Sequence, residues 1–186
     1  MEVKVTSNDN WLQVKKLAFR TIGKDTETYP TSEWKSKILR CQHSPIRSLV
    51  LTIEFTDIPY WVVGHFVRHK IGCEHYVKTQ RSDRTGYERS TIPQGALVDY
   101  TLVANAEALI NISRKRLCYQ AALETRNAWV VAVNEITSIE PELGRLLVPE
   151  CAFRGFCPEF KPCGYSETEI FFERLFEYQK GIDNPK

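Results

Sequence analysis

FVRHKIGCEHYVKTQRSDR, residues 66–84, decides how this chain is read. Three arginines, two lysines and two histidines crowd into this stretch, although the formal net charge of the whole chain is only +2. The residues just before it read as a buried strand and a helix, so the charge stands directly behind apolar core. A basic helix end, favoured by the helix dipole, is one explanation. A phosphate-bearing ligand is the other, because arginine offers a planar fork while lysine and histidine add single donors.

Upstream, SLVLTIEFTD gives the clearest strand. Leu49, Leu51, Ile53 and Phe55 share one parity, with Thr52 and Glu54 on the other. Pro59 suits a first helical turn, and Trp61, Val62, His65, Phe66 and His69 then recur at helical spacing. This predicts that Arg68, His69 and Lys70 fan around the end of a helix. Nearer the N-terminus, a short strand precedes a helix over Trp11–Arg20 that Asn8 or Asp9 would cap, and SEWKSKILR reads as a second short helix. Downstream, Ser82 to Gly86 is a polar turn and DYTLVAN a second strand. A long helix is expected from about Ala106 to Ile139, its apolar face built from Leu109, Ile112, Leu117, Ala121, Trp129, Val133 and Ile136. Pro141 ends it or opens a short successor. After Pro149 comes a loop bearing cysteine and glycine. SETEIFFERLFEYQK closes the pattern as an amphipathic helix, with Ser166 and Glu169 spaced as a capping box. The expectation is one α+β domain over residues 1–186 with few strands and one long central helix.

The totals exclude several classes. A hydrophobic content of 42% and a charged content of 26% are ordinary for a globular chain. A pI of about 8.2 is too mild for nucleic acid as the main partner. No window has the run of roughly 18 apolar residues that a membrane span needs, and the N-terminus lacks the apolar region of a signal peptide. The expected location is the cytoplasm.

Two further basic groups bear on the phosphate reading. Arg81, Arg84 and Arg89 lie on the loop after the first cluster. Arg114, Lys115 and Arg116 stand between apolar Ile112 and Leu117 on the expected long helix. An arginine on such a helix calls for an anionic partner, because an unpaired buried charge is costly.

These residues carry a family resemblance. HSPIRSLVLTIEF (43–55) and RHKIGCEHYVKTQRS (68–82), followed by Arg89, Pro93, Asn105 and Arg116 at matching spacing, are similar to the flavin-dependent thymidylate synthases. That family shows H-x-S/T-P-x-E-H, a strand, and R-H-R-x-x-S-x-N-E-x-S-x-R-Y. The resemblance covers about His43 to Glu142. Here Lys70 replaces the second arginine, Cys73 the serine, Arg47 a glutamate and Ser48 a histidine, and only SDRTGYE separates Arg81 from Arg89. The pattern is that of a compact, divergent form of the kind expected of a phage genome.

The resemblance implies an α+β fold with a small mixed sheet packed with long helices. It also implies methylation of dUMP to dTMP with FAD as cofactor, methylenetetrahydrofolate as carbon donor and NADPH as reductant. The cofactor carries the hard chemistry and the protein supplies position and electrostatics. Carried over residue by residue, Ser44, Arg68, His69, Lys70 and Asn105 would contact the flavin nucleotide. His65, Thr79, Arg81 and Arg89 would hold dUMP. Arg116 would face the uracil and stabilise charge developing there, as the catalytic residue. The family assembles as a homotetramer with sites shared between subunits.

Six cysteines in a reducing compartment read as free thiols, metal ligands or reactive groups. Cys41, Cys73 and Cys118 are dispersed. Cys151, Cys157 and Cys163 follow C-x5-C-x5-C, looser than the pairs zinc usually takes, and a fourth ligand would have to come from Cys73 or His75. The expectation is no metal. Trp11, Trp34, Trp61 and Trp129 are expected in the core or at a subunit contact, and Glu124 and Arg126 on a solvated face. Rival readings are a non-catalytic nucleotide-binding protein of the same fold, one-carbon transfer to another pyrimidine nucleotide, and a zinc-stabilised nucleic-acid protein.

Overall fold

The alternation over residues 49–55 becomes burial. In this computed structural model, which describes residues 1–180, Leu49, Leu51, Ile53 and Phe55 are all sealed from solvent while Glu54 is exposed. Each such side chain contributes about 1.5–3 kcal/mol by leaving water. Leu51, Ile53 and Phe55 belong to β2 (Val50–Pro59) and Leu49 leads into it; β2 lies between β1 (Glu2–Ser7) and β4 (Leu97–Asn105), and β3 (Cys73–Val77) pairs with the outer side of β4, giving the order β1-β2-β4-β3. All three pairings are antiparallel, where a mixed sheet was expected. The inward parity of β4 is Val98, Tyr100, Leu102 and Ala104, each buried.

Helices cover the apolar face. α1 (Trp11–Arg20) and α2 (Ser32–Cys41) fall where the periodicity places them. Asn8 does not cap α1. Its carboxamide accepts from Val50 N at 3.1 Å and donates to Ser48 O at 3.1 Å, so it ties the chain entry to β2 instead. α3 (Tyr60–Phe66) follows β2 directly. Trp11 inserts fully into the core, where its indole Nε1 donates to Glu140 at 2.8 Å and Ser7 Oγ donates to the other carboxylate oxygen at 2.6 Å.

The expected helix over 106–139 is two helices. After the short α4 (Ser82–Thr85) come α5 (Ala106–Arg116) and, beyond a connection at 117–122, α6 (Leu123–Ile139). The connection holds neither glycine nor proline, and Leu117 and Ala121 keep the apolar rhythm, so nothing local announces the break. Tertiary bonding decides it: Trp129 Nε1 on α6 donates to buried Ser113 Oγ on α5 at 2.9 Å, and Trp129 packs on Phe66 of α3 with centroids 5.5 Å apart. α7 (Pro141–Gly144) and α8 (Glu150–Arg154) are single turns. α9 (Glu169–Gln179) is capped by Thr168, whose hydroxyl accepts from Phe171 N, rather than by Ser166, which lies in a preceding 3-10 turn. Trp11 and Trp129 are core residues, as expected; Trp34 and Trp61 are half-buried against it. Among the described residues no helix is long and apolar enough to cross a membrane.

Candidate nucleotide site

The basic motif leaves the helix before it begins. α3 ends at Phe66, and Arg68, His69 and Lys70 form the turn into β3. The turn closes at Gly72, whose φ is +71°; a Cβ there would overlap the Asn105 carboxamide. Gly72 O accepts from Asn105 N at 3.0 Å, and the Asn105 side chain caps α5 by accepting from Ala108 N at 2.9 Å. The start of α5 and the basic turn are therefore held against each other.

That placement lets α5 deliver Arg116. Its Nε donates to His69 Nε2 at 2.9 Å, across 47 positions of sequence. The bond fixes the state of His69: Nε2 accepts, so the ring is neutral with its proton on Nδ1. Burial first, then the neighbouring Arg116 and His75, push the His69 pKa down to about 4. His75 supports the turn from below. Its Nε2–H donates to the His69 carbonyl, and its Nδ1 takes the Tyr100 hydroxyl at 2.8 Å. Tyr100 is itself fixed between Phe55 and Phe66, with centroids 5.5 and 6.0 Å away. A chain of contacts thus runs from the aromatic core through His75 and the His69 backbone to the Arg116 fork.

The electrostatics are one-sided. His65 is held below the ordinary histidine range by burial and by Arg116 and Arg68. The Arg116 guanidinium is depressed by burial and by Arg68. Among the described residues, Arg68, Lys70 and Arg116 pair with no carboxylate. Of the neighbouring cations of α5, Arg114 lies over the Phe153 ring at 3.5 Å and donates to Asn111 at 3.1 Å, while its buried Nε and Nη2 find no partner among the described residues; Lys115 reaches Glu150 at 4.0 Å. Among the described residues, Arg116 alone of that triplet lacks an anion or aromatic face.

Two adjoining clefts meet at Arg68. One, of about 300 Å³, is lined by Trp61, His65, Arg68 and Gln94; the other, of about 400 Å³, by Arg68, His69, Lys70, Cys73 and Asn111. A larger cavity of about 620 Å³ opens elsewhere, between α2, the α6–α7 corner and α9, and holds none of the predicted site residues. Its greater volume does not make it the better candidate, because the unpaired arginines and neutral histidines gather at Arg68.

Of the predicted site residues, the structure brings His65, Arg68, His69, Lys70 and Arg116 together. Asn105 abuts the turn as a helix cap, and exposed Ser44 opens the 3-10 turn that Arg47 fastens to α5 through Glu107 at 2.7 Å. Thr79, Arg81 and Arg89 lie on the exposed stretch before β4 and line neither cleft. The Arg81 fork is already taken by Asp83, at 2.9 and 2.8 Å. Sequence reasoning missed Tyr100 and the supporting role of His75. The available signal was the inward parity of Tyr100 in DYTLVAN.

This arrangement belongs to a known fold. No protein-family profile matches the chain, and no curated protein matches it either. Solved structures do. The chain is similar to the flavin-dependent thymidylate synthase ThyX of Helicobacter pylori complexed with FAD and dUMP: TM-score 0.65 and 12% identity, over 80% of this chain and 100% of that one. A second ThyX structure from the same organism, also with FAD and dUMP, gives a TM-score of 0.62 at 12% identity, over 80% and 99%. The UMP/dUMP methylase PolB of Streptomyces cacaoi, bound with 5-Br dUMP, gives 0.60 at 16%, over 83% and 95%. The chain therefore has an α+β fold of the flavin-dependent thymidylate synthase type.

Proposed function

We propose that this chain binds a pyrimidine deoxynucleotide beside a flavin and methylates the base, converting dUMP to dTMP with methylenetetrahydrofolate as carbon donor and NADPH as reductant. The observation that carries the reading is the Arg68–His69–Arg116 group: Arg68 lines both clefts, neutral His69 lines one, and Arg116 stands behind them on the His69 ring, with neither arginine paired to a carboxylate among the described residues. A phosphate-bearing ligand supplies the anion these residues lack, so they fit both a flavin dinucleotide and a nucleotide monophosphate. Bound FAD would supply the redox chemistry of the transfer. Arg68 and Lys70 hold its phosphates, with Ser44 and Asn105 at the margin. His69 stays uncharged and orients Arg116 through Nε, leaving the two terminal nitrogens of the fork to face the uracil. There they meet negative charge as it develops on the ring, without reorganising at the moment of reaction. His65 donates to the nucleotide from the adjoining cleft.

The reading includes a homotetramer in which Thr79, Arg81 and Arg89 complete the site of a neighbouring copy by holding its dUMP. A single fold unit and a cytoplasmic setting, in a phage-infected cell, complete the proposal. A second reading is a nucleotide-binding protein without turnover. What favours it is Arg81, already committed to Asp83. The purified protein's absorbance spectrum followed by dUMP titration tests both. A flavin spectrum that dUMP perturbs, with dTMP formed when methylenetetrahydrofolate and NADPH are added, supports the synthase. Binding without product supports the second reading, and no binding of flavin or dUMP overturns both.

A further inference from the structure

The cavity of about 620 Å³ between α2, the α6–α7 corner and α9 holds no histidine, yet it gathers cations of its own. Arg40 comes from the last turn of α2, Arg145 follows α7 directly, and Arg174 lies on α9. Among the described residues none of these three meets a carboxylate. The acidic side chain on the same wall, Glu177, is already engaged by Lys180 at 3.3 Å. Three guanidinium groups from three separate elements therefore line one space without an anion. Like charges held together repel, and the more so as they leave water.

A second observation points to a missing acceptor. Arg40 is half-buried, and its Nη1 is sealed from solvent with no hydrogen-bond partner among the described residues. A buried donor in that state is costly and calls for an acceptor from outside the chain. Further positive charge stands behind the wall. Tyr178 lines the cavity and meets Phe153 edge-on with centroids 6.5 Å apart, and Phe153 carries Arg114 over its ring at 3.5 Å. The rest of the lining is apolar and fixed. Val133, Leu147 and Val148 belong to the buried core, and Tyr178 packs against both hydrophobic clusters. A Cβ on Gly144 would overlap Thr137, so α7 lies tight on α6 at this corner. The volume falls within the range of small-molecule sites, about 300–1,000 Å³, and exceeds the needs of one inorganic ion.

We propose that this cavity binds an organic di- or triphosphate, with its phosphate oxygens on Arg40, Arg145 and Arg174 and its organic body against Val133, Leu147 and Tyr178. Arginine suits that role because its planar fork meets two oxyanion oxygens at once. Three forks match a run of linked phosphates better than a single carboxylate. The bound ligand bridges α9 to α2 and α7. The attachment of α9 is otherwise narrow: Phe171 is its buried residue, while Ile170, Phe172 and Phe176 are exposed. Amide exchange in α9 therefore reports occupancy of the cavity. The site shares no residue with the clefts at Arg68 and stands independently of the nucleotide reading.

The experiment is hydrogen-exchange mass spectrometry of the full chain with metal-free ATP as probe, and with inorganic triphosphate and adenosine in parallel. ATP at ten times its dissociation constant should slow exchange in α9 and at 141–148 by about tenfold wherever opening must release the ligand. Binding at the Arg68 clefts alone would slow residues 60–77 instead, so the two sites are told apart in one map. Arg174→Gln is expected to weaken binding at α9 by about tenfold or more, while Arg20→Gln, on α1, leaves it unchanged. Inorganic triphosphate is expected to bind more weakly than ATP, and adenosine to leave α9 unprotected. The wild-type map locates the ligand by itself, so the proposal stays testable if Arg174→Gln misfolds. No slowing of α9 by ATP, equal slowing in wild type and Arg174→Gln, or adenosine protecting as well as ATP each overturns the proposal. Inorganic triphosphate that matches ATP overturns the part given to the apolar wall.

Discussion

Arg116→Ala separates binding from chemistry at the candidate site. The side chain is half-buried, its Nε is 2.9 Å from His69 Nε2, and the charge that acts on it is another cation, Arg68. Its terminal nitrogens therefore form a preorganised donor pair in a partly desolvated place. Losing one such donor to a developing charge costs about 2.7–4 kcal/mol of transition-state stabilisation, or roughly a hundredfold or more in rate. Arg68 and Lys70 remain, so flavin retention should change by no more than a few-fold. Arg116→Lys should rescue only in part, because an ammonium cannot both hold His69 and present a planar fork. The assay is dUMP-dependent oxidation of reduced flavin with methylenetetrahydrofolate present, compared across the three proteins. A second readout does not depend on turnover. The substitution removes the hydrogen bond and one positive neighbour from His69, so its pKa should rise from about 4 towards the ordinary 6.5, stopping short because burial remains the largest cause. Histidine NMR titration measures that rise. Wild-type turnover matched by Arg116→Ala, or a His69 titration the substitution does not move, would refute the reasoning.

Three further predictions concern the frame that holds the site. Gly72→Ala should destabilise the protein by about 1–3 kcal/mol, since the new Cβ meets both a left-handed φ and the Asn105 carboxamide; an unchanged urea midpoint would contradict this. Trp11→Phe leaves one oxygen of the buried Glu140 carboxylate without its donor and should cost about 1–3 kcal/mol beyond the lost packing, read by thermal and denaturant unfolding. Because His69 is depressed to about 4 from 6.5, the unfolded chain binds the proton first as pH falls. Stability should therefore drop between about pH 6.5 and 4, by about 1–2 kcal/mol once solvent screening of a half-exposed ring is allowed for. The His69→Gln variant should lose that part of the acid slope.

What the sequence determined by itself was whatever repeats at short range. Alternation at Leu49, Leu51, Ile53 and Phe55 fixes β2 and its buried face, because a strand's side chains point alternately to opposite sides. Helical spacing and a bounding proline place α1, α2 and the α6–α7 corner, and the spacing of basic residues marks the segments that meet at the site. The tertiary structure decided what depends on partners distant in the chain. The 117–122 break carries no local signal; α6 folds back because Trp129 finds Ser113 and Phe66. Asn8 and Asn105 are both capping residue types, yet Asn8 is drawn to β2 while Asn105 caps α5. Arg68–Lys70 leave the helix because Gly72 must turn the chain against Asn105 and start β3. Most of all, the meeting of His69 with Arg116 joins residues 47 positions apart. Sequence periodicity reports the face an element buries, but not which other element comes to cover it.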